Sequence, residues 1–289
     1  HSKERDAQVI SSHYDVGNDF YELFLGDSMA YTCAYYPTPD ATLDEAQENK
    51  FRLVFEKMNL KPGDKHLDVG CGWGSMVRYA ARQGVKSLGV TLSKEQAEWA
   101  QAKIKEEGLE DLAEVRFLDY RDVTETDFDG ISSIGLLEHI GVKNFASYFE
   151  FLAGKLRPGG VMVNHCITYP DNHKTPQGDF INRYIFPDGE LTGSGTIIYE
   201  MQDHGFEVFH EENIRFDYMR TLHDWCENLK ANWDEAVALV GENTAKLWGM
   251  YMAGSEWGFE HDVVELHQVV GIKLASDGSR AGAPERRWW

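Results

Sequence analysis

Leu67-Asp68-Val69-Gly70-Cys71-Gly72-Trp73-Gly74 is the stretch that decides the fold. His66-Leu67-Asp68-Val69 reads as a short apolar strand, and glycines at alternate positions follow it at once. A glycine turn after a strand lets backbone approach a ligand closely and opens a helix whose N-terminus points at that ligand. A dinucleotide site would use that helix end for pyrophosphate. Asp68 at the start of the turn would repel a pyrophosphate. It suits a ligand that carries a positive sulfonium and an amino group.

The flanking sequence alternates strand and helix. Upstream, Thr42 with Glu45 three residues later forms a capping box, and Leu43, Ala46, Leu53, Val54 and Met58 mark one apolar side of a helix running to about Leu60. Downstream, strands are expected at Val85–Val90, Ala113–Leu118, Ile131–Ile134 and Val161–Cys166. Helices are expected after the glycine turn, from Ser93 to Gly108, and from Val142 to Leu156, the last closed by Arg157-Pro158-Gly159-Gly160. This order implies an α/β, Rossmann-like fold with a mostly parallel sheet flanked by helices. After Ile167 the alternation stops. Residues 168–200 read as a long loop whose apolar content favours an ordered lid. Phe206–His210, Ile214–Phe216 and Val269–Leu274 then read as strands, with a long helical region from Thr221 to about Met252. Arg286-Arg287-Trp288-Trp289 is expected to be a loose tail.

Composition narrows the chemistry. The formal net charge of −20 over 289 residues argues against a broad phosphate-binding surface, so no nucleic-acid partner is expected. Cys33, Cys71, Cys166 and Cys226 are widely spaced with no Cys-x-x-Cys pair, which points away from a disulfide scaffold or structural zinc and towards a reducing cytoplasm. No metal site is expected. No run approaches the roughly 18 apolar residues of a membrane span, and no signal peptide is visible. The chain opens on His1 rather than Met, which reads as a trimmed start.

The Asp-x-Gly-x-Gly-x-Gly pattern resembles motif I of the class I S-adenosylmethionine methyltransferases. More specifically, the chain resembles the cyclopropane-fatty-acyl-phospholipid synthases and the mycolic acid cyclopropane synthases, with the related 10-methylene fatty-acyl methyltransferases. The resemblance rests on His13-Tyr14-Asp15-Val16-Gly17-Asn18-Asp19, Tyr31-Thr32-Cys33-Ala34-Tyr35-Tyr36, Gly70-Cys71-Gly72-Trp73-Gly74 and Gly89-Val90-Thr91-Leu92-Ser93-Lys94-Glu95-Gln96. It continues through Glu138-His139-Ile140-Gly141, Asn182-Arg183-Tyr184-Ile185-Phe186-Pro187-Asp188-Gly189 and Tyr218-Met219-Arg220-Thr221-Leu222. Many nucleotide folds place an acid at the end of the second strand to hold ribose. Thr91 and Gln96 stand there here, which is this family's own pattern.

The resemblance implies that Tyr31, Thr32, Asp68, Gly70, Gly72, Gly74, Thr91, Gln96, Tyr120 and Arg121 bind S-adenosylmethionine. It also implies a bound bicarbonate held by Cys33, Glu138, His165, Tyr218 and the backbone of Ile167. The expected reaction is methyl transfer to the double bond of an unsaturated phospholipid acyl chain through a carbocation, with bicarbonate as general base. Its product is a cyclopropane or a methylene. The implied setting is the cytoplasm, in peripheral contact with the inner membrane surface, with a reductase acting on a methylene product; a homo-oligomer is compatible with it. Taken alone, Cys33 and His165 fit core packing as well as catalysis, and Tyr218 is uninformative. Leu222, Trp225, Leu229, Trp233, Trp248, Met250 and Trp257 fit either helix packing or the wall of an acyl tunnel. The competing functions are a methyltransferase for a soluble small molecule, and a non-catalytic lipid-binding module. The expected organisation is a helical cap over residues 1–41, a cofactor core over 42–167, a lid with acyl-binding helices and final strands over 168–275, and a tail over 276–289.

Overall fold

The computed structural model describes residues 17–173, 181, 185 and 189–289. The segments holding Tyr14, Asn182-Arg183-Tyr184 and Phe186-Pro187-Asp188, together with Pro176 and Phe180, lie outside these. The described elements run α1 (Asn18–Leu25), α2 (Leu43–Lys57), β1 (Lys65–Val69), α3 (Ser75–Arg82), β2 (Lys86–Thr91), α4 (Lys94–Glu106), β3 (Ala113–Phe117), β4 (Phe128–Ile134), α5 (Phe145–Lys155), β5 (Leu156–Thr168), α6 (Ser194–Asp203), β6 (Phe206–Asn213), α7 (Arg215–Ala231), α8 (Trp233–Val240), α9 (Glu242–Glu260) and β7 (Glu265–Lys273).

One sheet takes the order β3-β2-β1-β4-β5-β7-β6. Strands β1 to β5 are parallel, and β7 runs antiparallel between β5 and β6. Chain order reverses between β1 and β4, so the carboxyl ends of these strands flank the crevice where this architecture binds ligands. Side-chain alternation along β5 separates two cores. Met162 and Cys166 pack with Tyr148, Phe149 and Leu152 of α5. Val161 and Val163 pack on the other face with Phe51 and Val54 of α2. The capping box on α2 is present, with Thr42 Oγ1 accepting from the Glu45 N–H and the Glu45 carboxylate accepting from the Thr42 N–H.

Two expectations from sequence are corrected, and one boundary moves. Ile214–Phe216 is not a strand. Ile214 caps α7, and the buried run Tyr218, Thr221, Leu222, Trp225 and Leu229 has helical spacing that begins before Thr221. The helical region is divided into α7, α8 and α9. The helix expected to end before Arg157-Pro158-Gly159-Gly160 does so, with α5 closing at Lys155, and the tetrapeptide that follows belongs to the next strand. It lies inside β5 as a bulge, because Phe128 pairs Leu156 while Gly130 pairs Val161. Trp288 and Trp289 are docked, not loose. The Trp288 ring stacks on Phe209 at 5.2 Å and its Nε1 donates to the Glu56 carbonyl at 2.8 Å.

Candidate active site

Two cavities meet at the carboxyl end of the sheet. The smaller, about 90 Å³, sits on the glycine turn and is lined by Tyr31, Thr32, Lys50, Asp68, Gly70, Gly72, Trp73 and Gln96, among others. Gly72 (φ 54°) needs its glycine for conformation, and a Cβ there would meet nothing within 4 Å. Gly74 serves differently. A Cβ on it would press to 3.1 Å from both Ala100 and Val115, so this glycine lets α3 pack against α4 and the sheet.

Asp68 is buried in this cavity, and its orientation is dictated by a chain of hydrogen bonds. The Ser132 hydroxyl donates to Asp68 Oδ1 at 2.5 Å. Ser132 must then accept from His66 Nε2 at 2.8 Å, which leaves His66 Nδ1 to accept from Ser87 Oγ at 2.7 Å. Burial holds His66 at about 3, keeping the ring neutral. Burial also lifts Asp68 to about 7, offset in part by the Ser132 hydrogen bond and by Lys50.

Lys50 is a residue that the sequence reading missed. It is fully buried, its Nζ donates to Thr32 Oγ1 at 2.7 Å, and burial depresses it to about 7. Its spacing held the signal, since it lies on the Ala46–Val54 stripe of α2. Of the other residues expected around the cofactor, Thr91 donates to Gln96 Oε1 at 2.8 Å and holds that side chain at the cavity. Tyr120 and Arg121 sit in the turn after β3 and are not part of the lining described for this cavity. The Arg121 guanidinium pairs with Asp119 at 2.6 Å.

The larger cavity, about 410 Å³ and mostly apolar, is lined by all five residues expected to hold the ion: Cys33, Glu138, His165, Ile167 and Tyr218. Tyr31, Thr32 and Gly135 line both cavities. Burial pushes the Cys33 thiol well up, so it is a neutral group that donates to the Ala34 carbonyl at 3.0 Å. Glu138 Oε1 accepts the Ile167 N–H at 2.8 Å, so that backbone donor is already engaged. Burial raises Glu138 to about 7 and pushes His165 well below its ordinary range. Among the described residues, Glu138 Oε2 and His165 Nε2 are buried without a hydrogen-bond partner. Tyr218 lies against Phe259 at 4.5 Å, and Tyr31 reaches Tyr251 by a 3.3 Å hydrogen bond between hydroxyls.

The aromatic residues of the helical region divide. Leu222 and Met250 line the larger cavity. Trp225, Leu229 and Trp248 are buried core, Trp233 packs against that core, and Trp257 is exposed. From the segment expected to form a lid, Tyr169, Ile181, Gly189 and Leu191 reach the cavity wall.

A family model described as mycolic acid cyclopropane synthetase matches residues 1–269. The chain belongs to this family. It is 59% identical to a "probable fatty acid methyltransferase" of Mycobacterium tuberculosis, over all of this chain and 68% of that protein. It is 36% identical to the cyclopropane-fatty-acyl-phospholipid synthase of Escherichia coli, over 96% of this chain and 71% of the relative. The solved mycolic acid cyclopropane synthase CmaA1 complexed with SAH and CTAB superposes with a TM-score of 0.85 at 32% identity, covering 92% of this chain and 97% of that one. This member of the mycolic acid cyclopropane synthetase family is thus a class I, S-adenosylmethionine-dependent methyltransferase.

Proposed function

We propose that this cyclopropane synthetase family member methylates the double bond of an unsaturated phospholipid acyl chain, with bicarbonate as the base. The observation that carries this reading is the junction of the two cavities at Tyr31, Thr32 and Gly135, with Cys33, Glu138, His165, Ile167 and Tyr218 all on the acyl side. The glycine-turn cavity takes the cofactor, and Asp68 opposes its positive end. When bound, S-adenosylmethionine supplies the methyl group and bicarbonate supplies a base for the proton lost from the chain.

An isolated alkene is a weak nucleophile, so the protein must orient it at short range and exclude water. The mostly apolar wall does both. Methyl transfer leaves positive charge on the lipid chain. The Tyr31 and Tyr218 rings face the cavity that holds it, where aromatic faces stabilise a cation. The donor set suits a small oxyanion. Glu138 Oε2 and His165 Nε2 are buried on that wall with hydrogen-bonding capacity to spare among the described residues. Glu138 raised to about 7 stays partly protonated near neutrality and offers a donor as well as an acceptor.

Loss of a proton from the incoming methyl closes a cyclopropane ring. A hydride shift followed by proton loss gives a methylene, which a reductase would convert to a methyl branch. Access from a membrane surface is supported by Met250 and Val263, which line the cavity while remaining 66% and 49% exposed, and the face proposed is the cytoplasmic one. Among the described residues no helix is long and apolar enough to cross a membrane, so the contact proposed is peripheral.

The test is mass spectrometry of lipids from cells fed labelled methionine and expressing this chain or Glu138→Gln. The expected result is one labelled CH2 added per unsaturated chain and lost in the variant, with fragmentation separating ring from methylene. Unlabelled lipids from a chain that still binds S-adenosylmethionine would assign it a soluble acceptor. Labelled lipid persisting in the variant would remove Glu138 from the chemistry.

A further inference from the structure

Behind the acyl cavity, strand register sets three polar side chains in one row. His165 of β5 pairs with Gln268 of β7, and Gln268 pairs with Glu212 of β6. His165 shares its β5 face with Val161 and Val163, the face that α2 covers. The last residue of α2, Lys57, reaches down onto this row with a fully buried side chain. Its Nζ lies 2.7 Å from Glu212 Oε2 and 2.6 Å from Gln268 Oε1. Gln268 Nε2 lies 3.1 Å from His165 Nδ1.

The direction of each hydrogen bond follows from the first. An ammonium only donates, so Gln268 must present its carbonyl oxygen to Lys57. Reversing the amide would set two donors against each other. The amide nitrogen therefore faces His165, and it too only donates. His165 Nδ1 has to be the acceptor, which leaves the ring proton on Nε2. That nitrogen is buried with no partner among the described residues, on a side chain that lines the larger cavity.

We propose that Lys57 and Gln268 are positioning residues of the methyl-transfer site: through the fixed amide they hold His165 as the Nε2–H tautomer and so fix a hydrogen-bond donor on the cavity wall that Glu138 shares. With the opposite tautomer, His165 would present a lone pair to the cavity and repel an oxyanion there. The inference rests on the reading of His165 as a working residue of this site. It adds to that reading the reason the ring is a donor. Burial agrees with it, since it keeps the imidazole neutral and leaves the choice of tautomer to the neighbours.

The experiment is nuclear magnetic resonance of the full chain labelled with nitrogen-15 histidine, the His165 signals being assigned by their loss in His165→Ala. The wild-type chain is expected to show an unprotonated shift at Nδ1 and a protonated one at Nε2. Gln268→Glu places an acceptor against Nδ1 and is expected to move a proton onto it. Turnover should then fall at least about tenfold, with S-adenosylmethionine affinity unchanged. Lys57→Arg keeps a donor and should keep the tautomer, whereas Lys57→Met frees the amide and should give a mixture. A proton on Nδ1 in the wild-type chain overturns the proposal without any variant having to fold. An unchanged tautomer in a folded Gln268→Glu overturns it too. Full activity of His165→Ala beside the expected shifts would refute the role of His165 in the reaction while leaving the tautomer relay standing.

Discussion

The Glu138 carboxylate accepts the backbone N–H of Ile167 at 2.8 Å through Oε1, while its Oε2 is buried without a partner among the described residues. One strand end thus anchors the acid and leaves half of it for chemistry. Burial lifts this carboxyl from 4.5 to about 7, against the opposing pull of the Ile167 N–H. The folded chain therefore holds the proton more tightly than the unfolded chain. The stability this contributes is present below a pH of about 4.5 and is lost as the pH rises through about 7. Glu138→Gln keeps the Oε1 acceptor and removes the titration. It is expected to abolish product formation yet stabilise the fold by about 1–3 kcal/mol near pH 8 relative to the parent chain. Urea denaturation at two pH values checks this, and a variant less stable than the parent at the higher pH would contradict it.

Asp68 and Lys50 make cofactor binding depend on pH. Burial raises the acid to about 7 and lowers the base to about 7. Across that region the pair passes from a net +1, with both protonated, to a net −1, with both deprotonated. Affinity of the free enzyme for the sulfonium of S-adenosylmethionine should therefore rise with pH, by up to about tenfold per unit. S-adenosylhomocysteine lacks the sulfonium charge and should respond less. Calorimetric titration with both ligands measures the difference, and identical pH profiles would show that the pair does not sense the sulfonium.

The glycine turn was legible because its determinants are local: an apolar strand, glycines at fixed offsets and a helix start within a few residues. The capping box at Thr42 and Glu45 was legible for the same reason. The starts of other elements were not. Ile214-Arg215-Phe216 alternates like a strand, and only the long-range packing of Tyr218 and Trp225 makes it the start of a helix. The buried lysines were not legible because a charged side chain by itself points to solvent. Lys50 stands four residues from both Ala46 and Val54, and Lys57 four from Leu53, so each falls on the stripe already recognised as apolar. What keeps them there is not local: Thr32, in the loop before α2, holds Lys50, and Gln268 with Glu212 come beside Lys57 only through the sheet register. The five residues expected to hold the ion line a common cavity, where the Ile167 N–H is engaged by Glu138.

The docked tail gives a stability test. Trp288 stacks on Phe209 with the rings 16° apart and donates to the Glu56 carbonyl at the end of α2. Trp289 packs edge-on against His210 at 5.2 Å. Trp288→Ala should cost about 1–3 kcal/mol through lost ring contact and the lost hydrogen bond. The check is the midpoint of denaturant unfolding. A midpoint that stays in place would restore the loose tail expected from sequence.

Gly254 offers a way to separate acyl binding from cofactor binding. It lies on α9 and lines the larger cavity, and a Cβ there would meet nothing within 4 Å. Space is therefore available, and a helix interior favours alanine over glycine by roughly 0.5–1 kcal/mol. Gly254→Ala should raise stability by about that amount and leave turnover close to the parent's. Gly254→Phe puts a ring at the same position, where the route for an acyl chain would run. Its expected effect is a rise in KM for long unsaturated chains of at least about tenfold, since displacing even a few buried methylenes at about 0.8 kcal/mol each suffices. S-adenosylmethionine affinity should not change, because the glycine-turn cavity does not include this residue. Steady-state kinetics on lipid vesicles of two acyl lengths, paired with calorimetric cofactor titration, decides the matter. Equal KM values for both lengths in Gly254→Phe would show that the chain does not pass along α9, and the tunnel would then run past other wall residues such as Leu191 and Ile181.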